Sequence, residues 1–291
     1  MGLHVNRRSF LIGSASLGLL TACGGGIGSG GNQPDRLGAR FADGLRAPST
    51  AVTDNGLQRF PFIVVGTDQL PMVDGAPAFV EMEVIRDGTT IATEMVPARG
   101  VGQVIPFYPL EFEPPETGRY IIRTEFSEFD FELAVVDRSE TPVFQVGEEL
   151  PAFDTPTFDD ARGVDPVCTR PGGPCPFHEI TLTEALDNDR PTAILIATPQ
   201  FCQTDVCGPS VENLISNATG RDDINIIHAE VFENFARDTD NGDFPERAPL
   251  LIEWQVDFEP SLFVAGADNT IVGAKHFAFD SDETADLLAL I

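Results

Sequence analysis

Residues 193–207 read AILIATPQFCQTDVC, and this stretch decides the fold of the second half of the chain. The first five residues form a continuous apolar run typical of a buried strand. Apolar residues at helical spacing follow from Gly208 to Asn217, so a helix is predicted to begin near Cys207. A cysteine at a helix start meets free backbone N–H groups and the positive end of the helix dipole, and both favour the thiolate. The stretch therefore predicts a reactive thiol at Cys202 or Cys207, with the other thiol placed to resolve a mixed disulfide.

The sequence on either side of this stretch alternates between strand and helix patterns. A short helix is predicted from Ile180 to Leu186, and a buried strand from Ile224 to Val231. Two further strands flank a turn, and a final helix begins at Ser281, with acidic residues in its first turn. This order predicts an α/β layer over residues 144–291.

Two segments of this half resemble the thioredoxin family. Residues 193–202 resemble the family's strand that leads into the redox cysteine, and residues 258–264 resemble its cis-proline segment, with Pro260 at the cis position. The resemblance implies a thioredoxin-like fold and thiol–disulfide exchange, with Cys202, Cys207 and Pro260 as the catalytic residues and no cofactor. The chain departs from the family in having C-x4-C rather than C-x-x-C. Residues 207–210 read CGPS, so two registers compete for the nucleophile.

Three other functions stay open at the level of sequence. Cys202 and Cys207 could form a permanent disulfide in a redox-inactive binding or scaffold protein. Cys207 could be the peroxidatic cysteine of a thiol peroxidase, because residues 199–207 approach the peroxiredoxin pattern with one residue too many. The pair could also bind copper with His228 or His276, as in copper chaperones that use two cysteines and a distant histidine.

The other two cysteines of this half, Cys168 and Cys175, bracket a loop rich in turn-forming residues. An even set of cysteines in an exported protein indicates disulfides, so a structural Cys168–Cys175 disulfide is predicted. Pairing with Cys202 or Cys207 is not excluded by the sequence. Clustered cysteines are also typical of zinc sites, but the export signal favours disulfides.

Short strand patterns separated by turns fill residues 51–138. A hairpin is predicted around Asp87 and Gly88, and no helical period is present. Several short strands of this kind predict a β-sandwich, and residues 116–120 resemble the tyrosine corner of immunoglobulin-like domains. The expected fold class is therefore two domains, an all-β immunoglobulin-like sandwich at 51–138 followed by an α/β thioredoxin-like domain at 144–291.

The N-terminus predicts export and membrane attachment. Arg7 and Arg8 precede a short apolar run that ends at Cys23, which resembles a twin-arginine signal over residues 1–22 followed by a lipobox. Residues 23–50 begin with a Gly/Ser-rich stretch and are predicted to be a lipidated, flexible tether. The expected location is the extracytoplasmic face of the cell membrane, with exported thiol proteins as partners. A formal charge of -28 argues against nucleic acid as a partner.

Overall fold

The computed structural model describes residues 32–45, 48–102, 105–202, 206–256 and 258–291. The predicted signal peptide, Cys23 and the Gly-rich start of the tether lie outside these residues. Pro34–Ala39 forms strand β1, although it falls within the stretch predicted as tether. The ordered part of the chain therefore begins before residue 51, the predicted start of the first domain.

Seven strands form two antiparallel sheets in the first half of the chain. One sheet has the order β1-β2-β5 and the other β4-β3-β6-β7. The remaining strands are β2 (Gln58–Gly66), β3 (Phe79–Arg86), β4 (Thr89–Pro97), β5 (Tyr108–Phe112), β6 (Gly118–Arg123) and β7 (Phe131–Val135). Alternate residues of β3, namely Val80, Met82 and Val84, lie in the core between the sheets. The Tyr120 hydroxyl donates to the Glu116 carbonyl at 2.5 Å.

The second half contains a mixed four-stranded sheet of order β11-β10-β8-β9 with helices on both faces. Its strands are β8 (Thr192–Ile196), β9 (Asn225–Ala229), β10 (Ser261–Ala265) and β11 (Ile271–His276). Its helices are α1 (Leu182–Leu186), α2 (Cys207–Ala218), α3 (Phe235–Asn241), α4 (Pro249–Trp254) and α5 (Ser281–Leu288). Strand β8 is buried on both faces, with Ile194 in the core beside α1 and α4 and Leu195 in the core beside α2 and α5.

The predicted two-domain fold class is wrong. Asn32–Ile291 forms one compact unit that holds three sheets and only short helices, and no separate α/β domain stands apart from the rest. Strand β2 explains the difference, because it is buried on both faces. Phe60, Phe62 and Val64 enter the sandwich core, while Ile63 and Val65 form a second apolar cluster that includes Ala278.

A buried ion pair reinforces this junction. The Arg59 Nε lies 2.8 Å from the Glu283 carboxylate at the start of α5, and the two side chains are 12% and 6% exposed. Arg59 also donates to the Ala278 carbonyl at 2.5 Å. The two halves therefore share both an apolar and a charged interface.

Among the described residues, no helix is both long and apolar enough to cross a membrane.

Candidate functional site

Cys202 and Cys207, called the thiol pair below, lie beyond the carboxyl end of β8. Cys207 is the first residue of α2 and is fully buried, whereas Cys202 is partly exposed. Both side chains are thiols in the structure. The strand–loop–helix order predicted around the pair is confirmed, and it places one thiol within reach of solvent and the other beneath it.

A backbone N–H at the start of α2 points at the sulfur of Cys202. Val206, the N-cap residue, makes no side-chain capping bond to the helix. The Cys207 N–H instead contacts the Cys202 Sγ at 3.4 Å. A sulfur thereby occupies the position that a capping oxygen usually fills, where a negative charge is favoured by the helix terminus.

A carboxylate lies beside the buried thiol. The Cys207 Sγ is 3.3 Å from Oε2 of Glu259, and the backbone N–H of Thr198 donates to the same oxygen at 2.8 Å. Glu259 precedes Pro260, and their peptide bond is cis, as the family resemblance implied. The two sulfurs and a Glu259 oxygen all lie within 4.8 Å of one another.

The buried environment raises the pKa of both Cys207 and Glu259. Burial, followed by contact with Cys202 and the charge of Glu259, raises the pKa of the Cys207 thiol. Burial and the charge on Cys202 raise the pKa of Glu259 to about 7. Cys207 therefore stays protonated at neutral pH, next to a carboxyl group that can exchange a proton near neutrality.

The other sequence candidates near the pair do not join it. The Ser210 hydroxyl, at the position of the second cysteine in C-G-P-C, donates to the Val206 carbonyl at 2.9 Å. His276 Nδ1 lies 3.1 Å from the Ser261 hydroxyl, and burial lowers the pKa of His276 to about 3. Among the described residues, the Cys207 sulfur contacts a charged side chain at the Glu259 carboxylate.

A second group of ligand-type side chains lies elsewhere in the same half. Cys168, Cys175, His178 and His228, called the Cys2His2 cluster below, are all buried, and their sulfur and ring nitrogen atoms lie within 4.8 Å of one another. Cys168 and Cys175 are free thiols, so the disulfide expected between them is not formed in the structure. His228 faces these two sulfurs rather than the thiol pair with which the sequence analysis associated it.

The close contacts and burial in the cluster shift the pKa values of its side chains. A hydrogen bond from Cys175, supported by both histidines, lowers the pKa of Cys168, while burial lowers the pKa of His178. The sequence analysis gave His178 no role, although the spacing C-x6-C-x2-H over residues 168–178 is a signal that could have identified it.

A chain of hydrogen bonds connects the cluster to the thiol pair. Thr169, next to Cys168, has its hydroxyl 3.5 Å from that of Thr198 and accepts from the Gln200 N–H at 3.2 Å. Thr198 in turn donates to Glu259. The loop that carries Cys168 therefore packs directly on the segment that leads to Cys202.

A cavity of about 510 Å³ opens on the other side of the sheet, between the segment around Phe153 and helix α4. Asp154, Arg162 and Glu253 are the charged residues at its exposed edge. Neither thiol of the pair lines it, so it is not part of the candidate redox site.

Comparisons with known proteins add little to this description. No protein-family model and no curated protein matches the chain. A crystal structure of StoA from Bacillus subtilis is similar at 14% sequence identity and a TM-score of 0.29, covering 48% of this chain and 99% of that one. A likeness at this level carries no weight for function.

Proposed function

We propose that this protein performs thiol–disulfide exchange on exported proteins, with Cys202 as the attacking thiol and Cys207 as the resolving thiol. The observation that carries the proposal is the asymmetry of the pair. Cys202 is accessible and receives the first N–H of α2, whereas Cys207 is buried and contacts a carboxylate. Attack needs an exposed thiolate, and resolution needs a second thiol with a proton acceptor beside it.

The reaction follows from these contacts. The Cys202 thiolate attacks a substrate disulfide, forming a mixed disulfide and releasing one substrate thiolate. The Cys207 proton passes to Glu259, and the Cys207 thiolate attacks the Cys202 sulfur. This step forms the Cys202–Cys207 disulfide and releases the second substrate sulfur as a thiolate, so two electrons move from the protein to the substrate. The reverse sequence oxidises a substrate dithiol, and the reduction potential of the pair decides the direction.

The location belongs to the same proposal. The twin-arginine pattern and the lipobox-like segment ending at Cys23 support export and a lipid anchor at the extracytoplasmic membrane face. A redox-inactive scaffold is the competing function. It would keep Cys202 and Cys207 in an inert disulfide.

Trapping of mixed disulfides tests the proposal. Cys207→Ser should accumulate a covalent adduct with a peptide disulfide, because the first attack proceeds and resolution cannot. Cys202→Ser, the matched control, should trap little, since its remaining thiol is buried. Failure of both variants to form an adduct, together with no reduction of the peptide disulfide by the unaltered protein, would support the scaffold instead.

A further inference from the structure

The Cys2His2 cluster has the dimensions of a tetrahedral metal site. The S···N distances are 3.7 Å from Cys168 to His228, 3.4 Å from Cys175 to His178 and 3.4 Å from Cys175 to His228. The two ring nitrogens of His178 and His228 are 3.2 Å apart. Zn–S bonds of about 2.3 Å and Zn–N bonds of about 2.0–2.1 Å at tetrahedral angles give S···N edges of about 3.6 Å and N···N edges of about 3.3 Å. The observed distances agree with these edges to within about 0.2 Å.

The surrounding contacts orient the ligand atoms toward a common point. The Nε2 of His228 lies 2.9 Å from the Ala197 carbonyl oxygen. A carbonyl oxygen is an acceptor, so Nε2 carries the proton, and in the neutral ring Nδ1 faces the cluster with a free electron pair. The Cys175 N–H donates to the Cys168 Sγ at 3.3 Å. Hydrogen bonds to the second ring nitrogen of a histidine and to a ligating sulfur are typical of the groups that hold metal ligands in place.

The position of the cluster in the chain gives it a structural task. Residues 141–181, all of them described, contain no helix or strand, which is long for a segment inside a compact unit. Three of the four ligands belong to this segment, and His228 lies on the edge strand β9. Two contacts anchor the segment here: the His228 N–H donates to the Phe177 carbonyl, and Glu230, the residue that follows β9, accepts from the Thr169 N–H.

We propose that Cys168, Cys175, His178 and His228 bind one Zn²⁺ ion in a closed tetrahedral site that fastens the 141–181 segment to β9. Two thiolates and two neutral imidazoles around Zn²⁺ form a set with no net charge, which suits four buried ligands. All four positions are filled by side chains, so the ion has a structural role and no open position for a substrate. The thiol pair lies outside this set, and the inference does not depend on the proposed exchange reaction.

Metal analysis of the purified full chain tests this site. Elemental analysis should find one zinc per chain. Co²⁺ added to zinc-depleted protein should give the visible bands of tetrahedral cobalt together with thiolate-to-cobalt charge transfer. His228→Ala and Cys175→Ser should each lose the bound zinc. The charge-transfer band of the cobalt form should be weaker in both variants than in the unaltered protein. The Cys202→Ser, Cys207→Ser double variant is the matched control, and it should retain one zinc per chain.

A stability measurement guards against variants that do not fold. Removal of zinc from the unaltered protein with a chelator should lower its melting temperature, and stoichiometric Zn²⁺ should restore it. Absence of zinc both after purification and after titration of the reduced protein would overturn the proposal. Full zinc retention in folded His228→Ala would do the same, and so would a Cys168–Cys175 disulfide in the peptide map of protein that binds no zinc.

Discussion

Glu259→Gln is expected to slow the resolving step without blocking the first attack. Gln preserves the size of the side chain and an oxygen that can accept from Thr198, but it cannot take the Cys207 proton. Removal of a positioned proton acceptor costs roughly 100-fold or more in rate. Burial raises the pKa of Cys207, so without a proton acceptor little of its thiolate forms near neutral pH. The loss of rate should therefore be largest there.

The assay isolates that step. Reaction of reduced protein with dithiobis(nitrobenzoate) places thionitrobenzoate on Cys202, and attack by Cys207 releases it as a coloured thiolate. In the unaltered protein the release rate should rise with pH as Glu259 loses its proton, because only the carboxylate can accept the proton of Cys207. In Glu259→Gln the rate should fall about 100-fold at pH 7, and its rise should move to higher pH. Glu253→Gln, which changes an exposed carboxylate on α4, is the control and should behave as the unaltered protein does.

The same substitution predicts a stability change with a defined sign. A carboxyl group whose pKa rises from 4.5 to about 7 on folding favours the protonated folded state by about 3 kcal/mol. This stability is fully present below about pH 4.5 and is lost as pH rises through about 7. The free energy of unfolding of reduced Glu259→Gln should lack that decline. Equal release rates and equal pH profiles for the variant and the unaltered protein would refute the role given to Glu259.

Three further outcomes follow from the fold and the N-terminal sequence. Arg59→Met should lower the free energy of unfolding by about 3 kcal/mol, because it leaves the buried Glu283 carboxylate without its main partner. Denaturant titration checks this, with Arg119→Met, from an exposed ion pair, as a control that should change it by under about 0.5 kcal/mol. Tyr120→Phe should cost about 1 kcal/mol in the same titration by removing the hydroxyl that donates to the Glu116 carbonyl and accepts from Arg86. Cys23→Ala should release the mature protein from membranes, and its continued pelleting after carbonate washing would contradict the lipid anchor.

Most elements of the second half were predictable because they have a local signal, but the short helices α3 and α4 were not predicted. The apolar run at 193–197, the turn between β10 and β11 and the acidic first turn of α5 all depend on neighbouring residues. The burial of β2 on both faces was also visible, since residues 60–65 are almost all apolar and do not alternate with polar residues. Treating that run as an ordinary sandwich strand led to the incorrect division into two domains.

The candidate site was predictable only in part. The sequence brought Cys202, Cys207 and Pro260 together through the family resemblance, but it gave Glu259 no role. Its carboxylate reaches Cys207 because β10 pairs with β8, a contact that no local pattern encodes. His178 and His228 are 50 residues apart, and only the packing of an irregular segment against β9 places them 3.2 Å from each other.

The two proposals constrain each other chemically, because four cysteines share one half of the chain. Thr169 contacts Gln200, so the Cys168 loop lies beside the segment that carries Cys202. A mixed disulfide at Cys202 is open to attack by any nearby thiolate, and zinc would bind the sulfurs of Cys168 and Cys175 and so hold them out of that reaction. Zinc-depleted protein turning over a peptide disulfide should therefore accumulate disulfides between Cys168 and Cys202, visible in a non-reducing peptide map. Zinc-loaded protein should form only the Cys202–Cys207 bond, and identical maps with and without zinc would show that the metal does not separate the two sets of thiols.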